Sequence, residues 1–385
     1  MTPDVLARLA ITMLSSMSPT RANWLLTGEE GMDPADVAVA AVDRLKKGLL
    51  PVGAQAPEGV GREMLLKWQE ELRTQVLDET VAEHAELGIQ MLSPADPRWP
   101  VADDPEPPAL VFYAGDLDLL AHPVAVAVVG TRRCTAVGRT VAYNFGRDLA
   151  LADVAVVSGL ALGVDGAAHR GALDAAGPVI GVVASGIDVI YPGGNRHLWE
   201  RVKEHGLLLG EAPAKTRPAR WRFPARNRLI AGLARGVVVV ESHRTGGALL
   251  TVDEAIERDR PVYAVPGSVL SAASEGTNAL LVEGATPVGS AADVLYDLGV
   301  TGFVPEVSPT DEDLASGAAV DAPADLSDHD PDLISLILSE ATAGAIHVDR
   351  LILMSTSPPG TVLAAVQALV AGGRLDLDGS TVSLR

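Results

Sequence analysis

The chain has 385 residues, which at about 150 per domain points to two or three domains and enough length for a large core. Hydrophobic residues make up 48% of it, which excludes a wholly disordered polymer. Lys and Arg number 30 against 50 Asp and Glu, and the resulting −20 opposes general attraction to anionic lipid or nucleic acid, so any polyanion must meet a local basic patch. The single cysteine excludes a disulfide scaffold and suits a reducing cytosol. No secretory signal pattern opens the chain, and no apolar run reaches about 18 residues without charge or Gly/Pro punctuation. The expectation is a cytoplasmic protein with no membrane insertion.

Residues 1–88 read as a small helical domain. Apolar residues recur at helical spacing in Val5-Leu9-Met13-Leu14 and Val37-Val39-Val42-Leu45. Pro51 to Gly61 reads as a loop, and 62–87 as one long polar helix. Nucleic-acid-gripping helical hairpins have similar size, but Thr27-Gly28 is a poor match to their Gly-x-Gly turn, so a plain helical bundle is the simpler reading. Residues 89–123 are rich in proline and read as a linker with a short strand at Leu110 to Tyr113.

From 124 to 300 the pattern alternates. Apolar runs at Val124–Val129, Val154–Val157, Val179–Ala184, Leu207–Leu209, Val237–Val240 and Val262–Val265 are separated by stretches of helical length. Strands apolar on both faces need helices on both sides. The expected fold is α/β, a doubly wound Rossmann-like parallel sheet spanning 89–300, with ligands at the carboxyl ends of its strands. Residues 305–332 carry nine acidic residues and no Lys or Arg, so 301–332 reads as a solvated acidic linker. Residues 333–385 read as three helices and a hairpin, a winged-helix-like domain. Its third helix, Thr361 to Ala371, has no Lys or Arg, which favours protein contact over groove readout.

Four segments at the strand ends carry chemistry. Gly130-Thr131-Arg132-Arg133 follows the first strand of the sheet domain, where a helix start near Thr135 to Gly138 offers free amides for an anion. Cys134 beside it reads as a small packing residue. Ser158-Gly159 opens a second small-residue loop, with Asp165 as a helix cap and His169 four residues on. The Asp–His spacing invites a hydrolase reading, but no nucleophile stands beside it, and Ser158-Gly159 is not a nucleophile elbow. From Ala212 to Gly236 there are seven basic residues and no acidic one: Lys215, Arg217, Arg220, Arg222, Arg226, Arg228 and Arg235. Trp221 and Phe223 lie among them. Guanidinium groups that track phosphates, interleaved with rings that stack on unpaired bases, are what a single strand requires. Asn227 adds an amide able to bond a base edge. Finally, Thr245-Gly246-Gly247 opens another helix and reads as a backbone nest for an anion.

Blocks of this sequence resemble DNA-processing protein A, the DprA or Smf family. They are VGTRR ending at Arg133, SGLALGVDGAAH (158–169), ASGIDVIYPGGN (184–195), RFPARNRLIAGLA (222–234), TGGALLT (245–251) and EGTNALLVEGA (275–285). The resemblance covers about 90–297 with ordered motifs and is looser over the C-terminal segment. It implies a dimeric, non-enzymatic protein that binds single-stranded DNA, protects incoming strands in natural transformation and loads the RecA recombinase, with no cofactor. The positions it carries over are Arg132, Ser158, Gly159, Phe223, Arg226 and Asn227, with Arg220 at a basic position. Where the family has SGSLIT this chain has GGALLT (246–251), so two hydroxyls are absent there. The full expected DNA contact set is Gly130, Thr131, Arg132, Arg133, Ser158, Gly159, Arg220, Phe223, Arg226, Asn227, Gly246 and Gly247. A rival reading is a nucleotide-binding phosphoribohydrolase on a related fold, for which Asp165, His169 and Glu254 would be the residues to probe.

Overall fold

A computed structural model describes residues 1–28, 32–50, 55–101, 104–300, 331–343, 346–354, 374–378 and 381–384, with a few single positions between 362 and 370. The chain divides into two compact units, Met1–Pro305 and Glu306–Arg385.

The first unit begins with five helices: α1 (Pro3–Thr12), α2 (Pro19–Leu25), α3 (Pro34–Lys46), α4 (Arg62–Thr74) and α5 (Leu77–Glu86). Proline stands in the first turn of α1, α2 and α3 behind a Thr2, Ser18 or Asp33 cap, where its missing N–H costs nothing. The expected single helix over 62–87 is two. The chain turns extended at Gln75, whose amide donates to Ala10 O at 3.1 Å. These helices share a core of Ile11, Trp24, Val42, Leu45 and Trp68. They also join the rest of the unit. Leu9 packs into the core of the sheet, and buried Arg8 is paired with Asp4 at 2.7 Å and donates to Ala109 O at 3.1 Å.

The Pro-rich segment does more than link. It supplies β1 (Gln90–Leu92) and β2 (Val111–Gly115), which pair antiparallel with each other, and β2 then pairs antiparallel with β6 (Leu207–Gly210). The parallel strands are β3 (Ala125–Val129), β4 (Ala155–Ser158), β5 (Val179–Val183), β6, β7 (Gly236–Val239), β8 (Val262–Ala264) and the short β9 (Thr286–Pro287). The sheet order is β1-β2-β6-β5-β4-β3-β7-β8-β9. Each parallel strand except the short, exposed β9 alternates between two layers. On β3, Val126 and Val128 face the layer of α6 (Ala136–Leu151), α7 (Val164–Asp174), α8 (Arg196–His205) and α12 (Ala291–Asp297). Ala125, Ala127 and Val129 face the layer of α9 (Arg222–Leu233), α10 (Leu249–Ile256) and α11 (Glu275–Val282). Strands covered on both faces read as continuous apolar runs, which is why the sequence placed them well. The chain builds outward one way from β3 through β4, β5 and β6, then returns to build the other way from β7. The point between β3 and β7, where the direction reverses, leaves a crevice at the strand carboxyl ends.

In the second unit the described residues form α13 (Pro331–Ala343), β10 (Ile346–His347), α14 (Val348–Met354), β11 (Leu375–Asp378) and β12 (Thr381–Leu384). The strands are ordered β10-β12-β11 and antiparallel. Their core includes Leu333, Ile337, Leu351, Leu375 and Val382. The acidic segment before Pro331 and the Ser-Pro-Pro-Gly turn lie outside the described residues.

Candidate nucleic-acid interface

At the switch point lies a cleft of about 690 Å³. Ten of the twelve expected contact residues line it. They are Gly130, Thr131, Arg132 and Arg133 after β3, Arg220, Phe223, Arg226 and Asn227 at the start of α9, and Gly246 and Gly247 before α10. Three segments far apart in the chain therefore meet because β3 and β7 end, and α9 begins, at the same edge.

The two remaining residues sit underneath. Ser158 is fully buried and its Oγ donates to Val128 O at 2.6 Å. Its place in the expected DNA contact set is corrected: its hydroxyl ties β4 to β3. Gly159 has a spatial role. A Cβ there would overlap the Arg226 guanidinium, so glycine makes room for that cation. The Gly159 amide donates to Asp165 Oδ2 at 3.1 Å, so Asp165 gathers the loop rather than capping its own helix. At Gly163 the chain turns with φ of +81°, and the Val164 amide reaches back to Thr131 O at 3.3 Å. Both small-residue loops are thereby locked together.

The expected anion pocket at the start of α6 is also corrected. The Glu241 carboxylate, arriving from β7, accepts from the Thr135 amide at 2.8 Å and from the Thr135 hydroxyl at 2.7 Å. Thr135 Oγ in turn accepts from the Gly138 amide at 2.9 Å. A buried anion already sits at this positive helix end. Cys134 is half-buried against the core.

The basic segment divides. Arg228 is 1% exposed, pairs with Glu211 and Glu106, and donates to Glu106 O at 2.6 Å. Lys215 pairs with Glu83. Arg235 is exposed, but it lies just before β7, at the opposite end of that strand from the cleft. Arg226 is buried at the cleft floor with Nη1 on Val182 O. Burial draws its pKa down to about 10, with Asp165 opposing the fall and Arg132 adding to it, so it stays charged at neutral pH. Burial likewise pushes Asp165 up, against the pull of Arg226 and the loop amides. Arg132 and Arg220 are exposed at the cleft wall. The Arg132 guanidinium stands 4.9 Å from the centre of the Phe223 ring, a cation–π arrangement. Tyr191 meets the same ring at 5.6 Å with planes 49° apart. Asn227 Nδ2 points to Gly247 O at 3.5 Å, so α9 meets the 245–247 turn. A Cβ at Gly247 would meet nothing within 4 Å, so the backbone there is open to a ligand.

Tyr191 and His243 line the cleft without having been selected from the sequence. The signal for Tyr191 was its place in a Tyr-Pro-Gly-Gly turn on the loop that follows β5. The residues of the hydrolase reading do not converge. His169 Nε2 faces Ile180 O at 3.3 Å, and burial pulls its pKa down to about 3, so it is neutral. Glu254 pairs with Arg258 at 2.6 Å. Among the described residues, no cluster of three or more His, Cys, Asp or Glu is placed to hold a metal ion, and no helix is long and apolar enough to cross a membrane.

Residues 90–299 match the family model described as DNA recombination-mediator protein A. The chain belongs to that family. Its role is DNA processing in recombination, and the resemblance seen in the sequence is borne out. It is 37% identical over 354 residues to the putative DNA processing protein DprA of Mycobacterium tuberculosis, covering 87% of this chain and 84% of that one. Against DprA of Streptococcus pneumoniae it is 43% identical over 199 residues, covering 52% of this chain and 70% of the relative. The S. pneumoniae DprA crystal structure superposes with a TM-score of 0.61 at 31% identity, over 77% of this chain and 98% of that one. A Helicobacter pylori DprA structure, described by its single-stranded DNA binding mode, superposes with a TM-score of 0.50 at 29% identity over 55% of this chain and 95% of that one. The recombination-mediator match ends at 299, so it contains the whole cleft.

Proposed function

We propose that this chain binds single-stranded DNA across the switch-point cleft and delivers it to the RecA recombinase, without catalytic turnover. The observation that carries the reading is the Phe223 ring, held by Tyr191 and the Arg132 guanidinium at the mouth of a cleft of about 690 Å³. A ring face supports an unpaired base, and Arg132, Arg133 and Arg220 face the phosphates beside it. Gly246 and Gly247 let the backbone approach the next phosphate. The H. pylori relative described as binding single-stranded DNA supports the ligand class, and the family description as a recombination mediator supports the handover to RecA. Protection of incoming strands in natural transformation, a homodimer and a cytoplasmic location complete the proposal. Residues 1–88 and the winged-helix-like 333–385 serve as accessory modules to the 89–300 domain.

Fluorescence polarisation with single-stranded, double-stranded and mononucleotide ligands tests this reading. Tight, salt-sensitive binding confined to single strands is the expected result. Binding of the mononucleotide in place of the strand would overturn it in favour of a nucleotide-hydrolase-like site.

A further inference from the structure

We propose that Trp221 is a second base-stacking platform for the same strand, on the face of α9 turned away from Phe223. The inference rests on the reading that the cleft takes single-stranded DNA. The first turns of α9 form a wedge. Arg220, then the adjacent Phe223 and Pro224, then Asn227 three or four residues further on, line the cleft. Trp221, Arg222, Ala225 and Leu229 fall between them in helical phase. They line a separate hollow of about 50 Å³, whose far wall includes Met17, Ser18 and Pro19. Arg226 lies at the floor of both.

The two faces carry the same pair of groups. Arg132 lies 4.9 Å from the Phe223 ring centre on one, and Arg222 lies 4.5 Å from the Trp221 ring on the other. Arg222 covers one side of the indole and brings positive charge to where a neighbouring phosphate would run. The ring nevertheless stays 45% exposed, whereas Trp24, Trp68, Trp99 and Trp199 are each 9% exposed or less. A large apolar ring left in water beside a fixed cation suits the π face of an unpaired base, and a paired base in a duplex offers no such face. A strand stacked on Phe223 thus meets a second ring by crossing the crest of α9, and Pro224 and the exposed Arg220 lie at that crossing.

All five tryptophans emit, but the other four are buried away from a ligand, so a change of emission on strand binding that Trp221→Phe removes reports on Trp221. The test titrates the chain with oligodeoxythymidines of about 4 and about 12 nucleotides, within the site sizes of roughly 4–16 seen for stacking-and-charge sites, and follows tryptophan emission alongside polarisation. The longer strand should quench the emission. Trp221→Phe should abolish the quench while keeping affinity. Trp221→Ala should weaken the longer strand by roughly tenfold and the shorter by less than about twofold, as loss of one stacked base requires. Polarisation that registers the longer strand with unchanged emission, or Trp221→Ala binding it like the parent, overturns the platform and leaves the Phe223 cleft standing. A parent chain that binds neither strand overturns both.

Discussion

Three strand–loop–helix junctions meet at the switch point, and they differ in what stands at the helix start. After β3 the Glu241 carboxylate takes the Thr135 amide and hydroxyl. After β4 Asp165 takes the Gly159 amide. After β7 no side chain caps α10 and its first turn holds no acidic residue; Gly246 and Gly247 stand there instead, on the cleft. A phosphate at either of the first two would have to displace a buried carboxylate of its own sign. At the third it would not. A glycine-rich turn before a helix is therefore an anion site only if the fold has not already filled it with an anion of its own. The first two junctions give the cleft its rigidity, and the third is left for a ligand.

The sharpest way to break this comparison is to remove a structural cation and find that only binding suffers. Arg228→Ala removes a buried cation, leaves half-buried Glu211 without its partner and should cost on the order of 3 kcal/mol of stability, seen as a lowered melting transition. His169 tests the rigid side through pH. It is held neutral in the fold with a pKa near 3, while the unfolded chain protonates near 6.5. Stability is then complete above pH 6.5 and falls by about 1.4 kcal/mol per pH unit below it, until pH nears 3. Denaturant melts between pH 7 and 5 should show this slope in the parent and its loss in His169→Gln; equal slopes would place the histidine elsewhere. Glu241→Ala should cost about 1–3 kcal/mol through its lost charge-assisted bonds. It should also open the start of α6, so that inorganic phosphate raises the melting temperature of the variant more than that of the parent, whose open nest is the turn before α10. The smallest effect belongs to Gly247→Ala. Its Cβ enters open space, so the melt should move by no more than about 0.5 kcal/mol while single-strand affinity falls several-fold. Gly246→Ala should lower the melt as well as the affinity, because its Cβ meets the Ser242 hydroxyl.

Much of this was legible in the sequence. The strands fell within a residue or two of the apolar runs, because a sheet covered on both faces leaves continuous apolar segments. The cleft was legible for the same reason: once the strands are placed, their carboxyl ends collect Arg132, Phe223 and Gly246 without further information. Four features were not. The break between α4 and α5 has no Gly or Pro to mark it and is held by a tertiary bond from Gln75 to Ala10. The short strand β1 hides in a segment whose prolines signal a loop. Above all, the seven basic residues look alike in a list and are not alike in space. Arg226 leads an apolar row with Leu229 and Ile230 at i+3 and i+4, a phase that points inward, and buried Arg228 finds half-buried acidic partners in two other segments. The filling of the α6 start by Glu241 depends on a contact from a strand more than a hundred residues on and leaves no local pattern.

The most direct measurement is the salt dependence of single-strand affinity in Arg132→Ala and Arg220→Ala, by polarisation, with melts run in parallel. Each substitution should leave the melt unchanged and weaken binding by at least about tenfold, the size of one charge-assisted contact of about 1.5 kcal/mol. Each should also make the log–log salt slope shallower by about 0.7, one phosphate contact. Parent-like affinity and slope in folded variants would contradict the placement of the strand in this cleft.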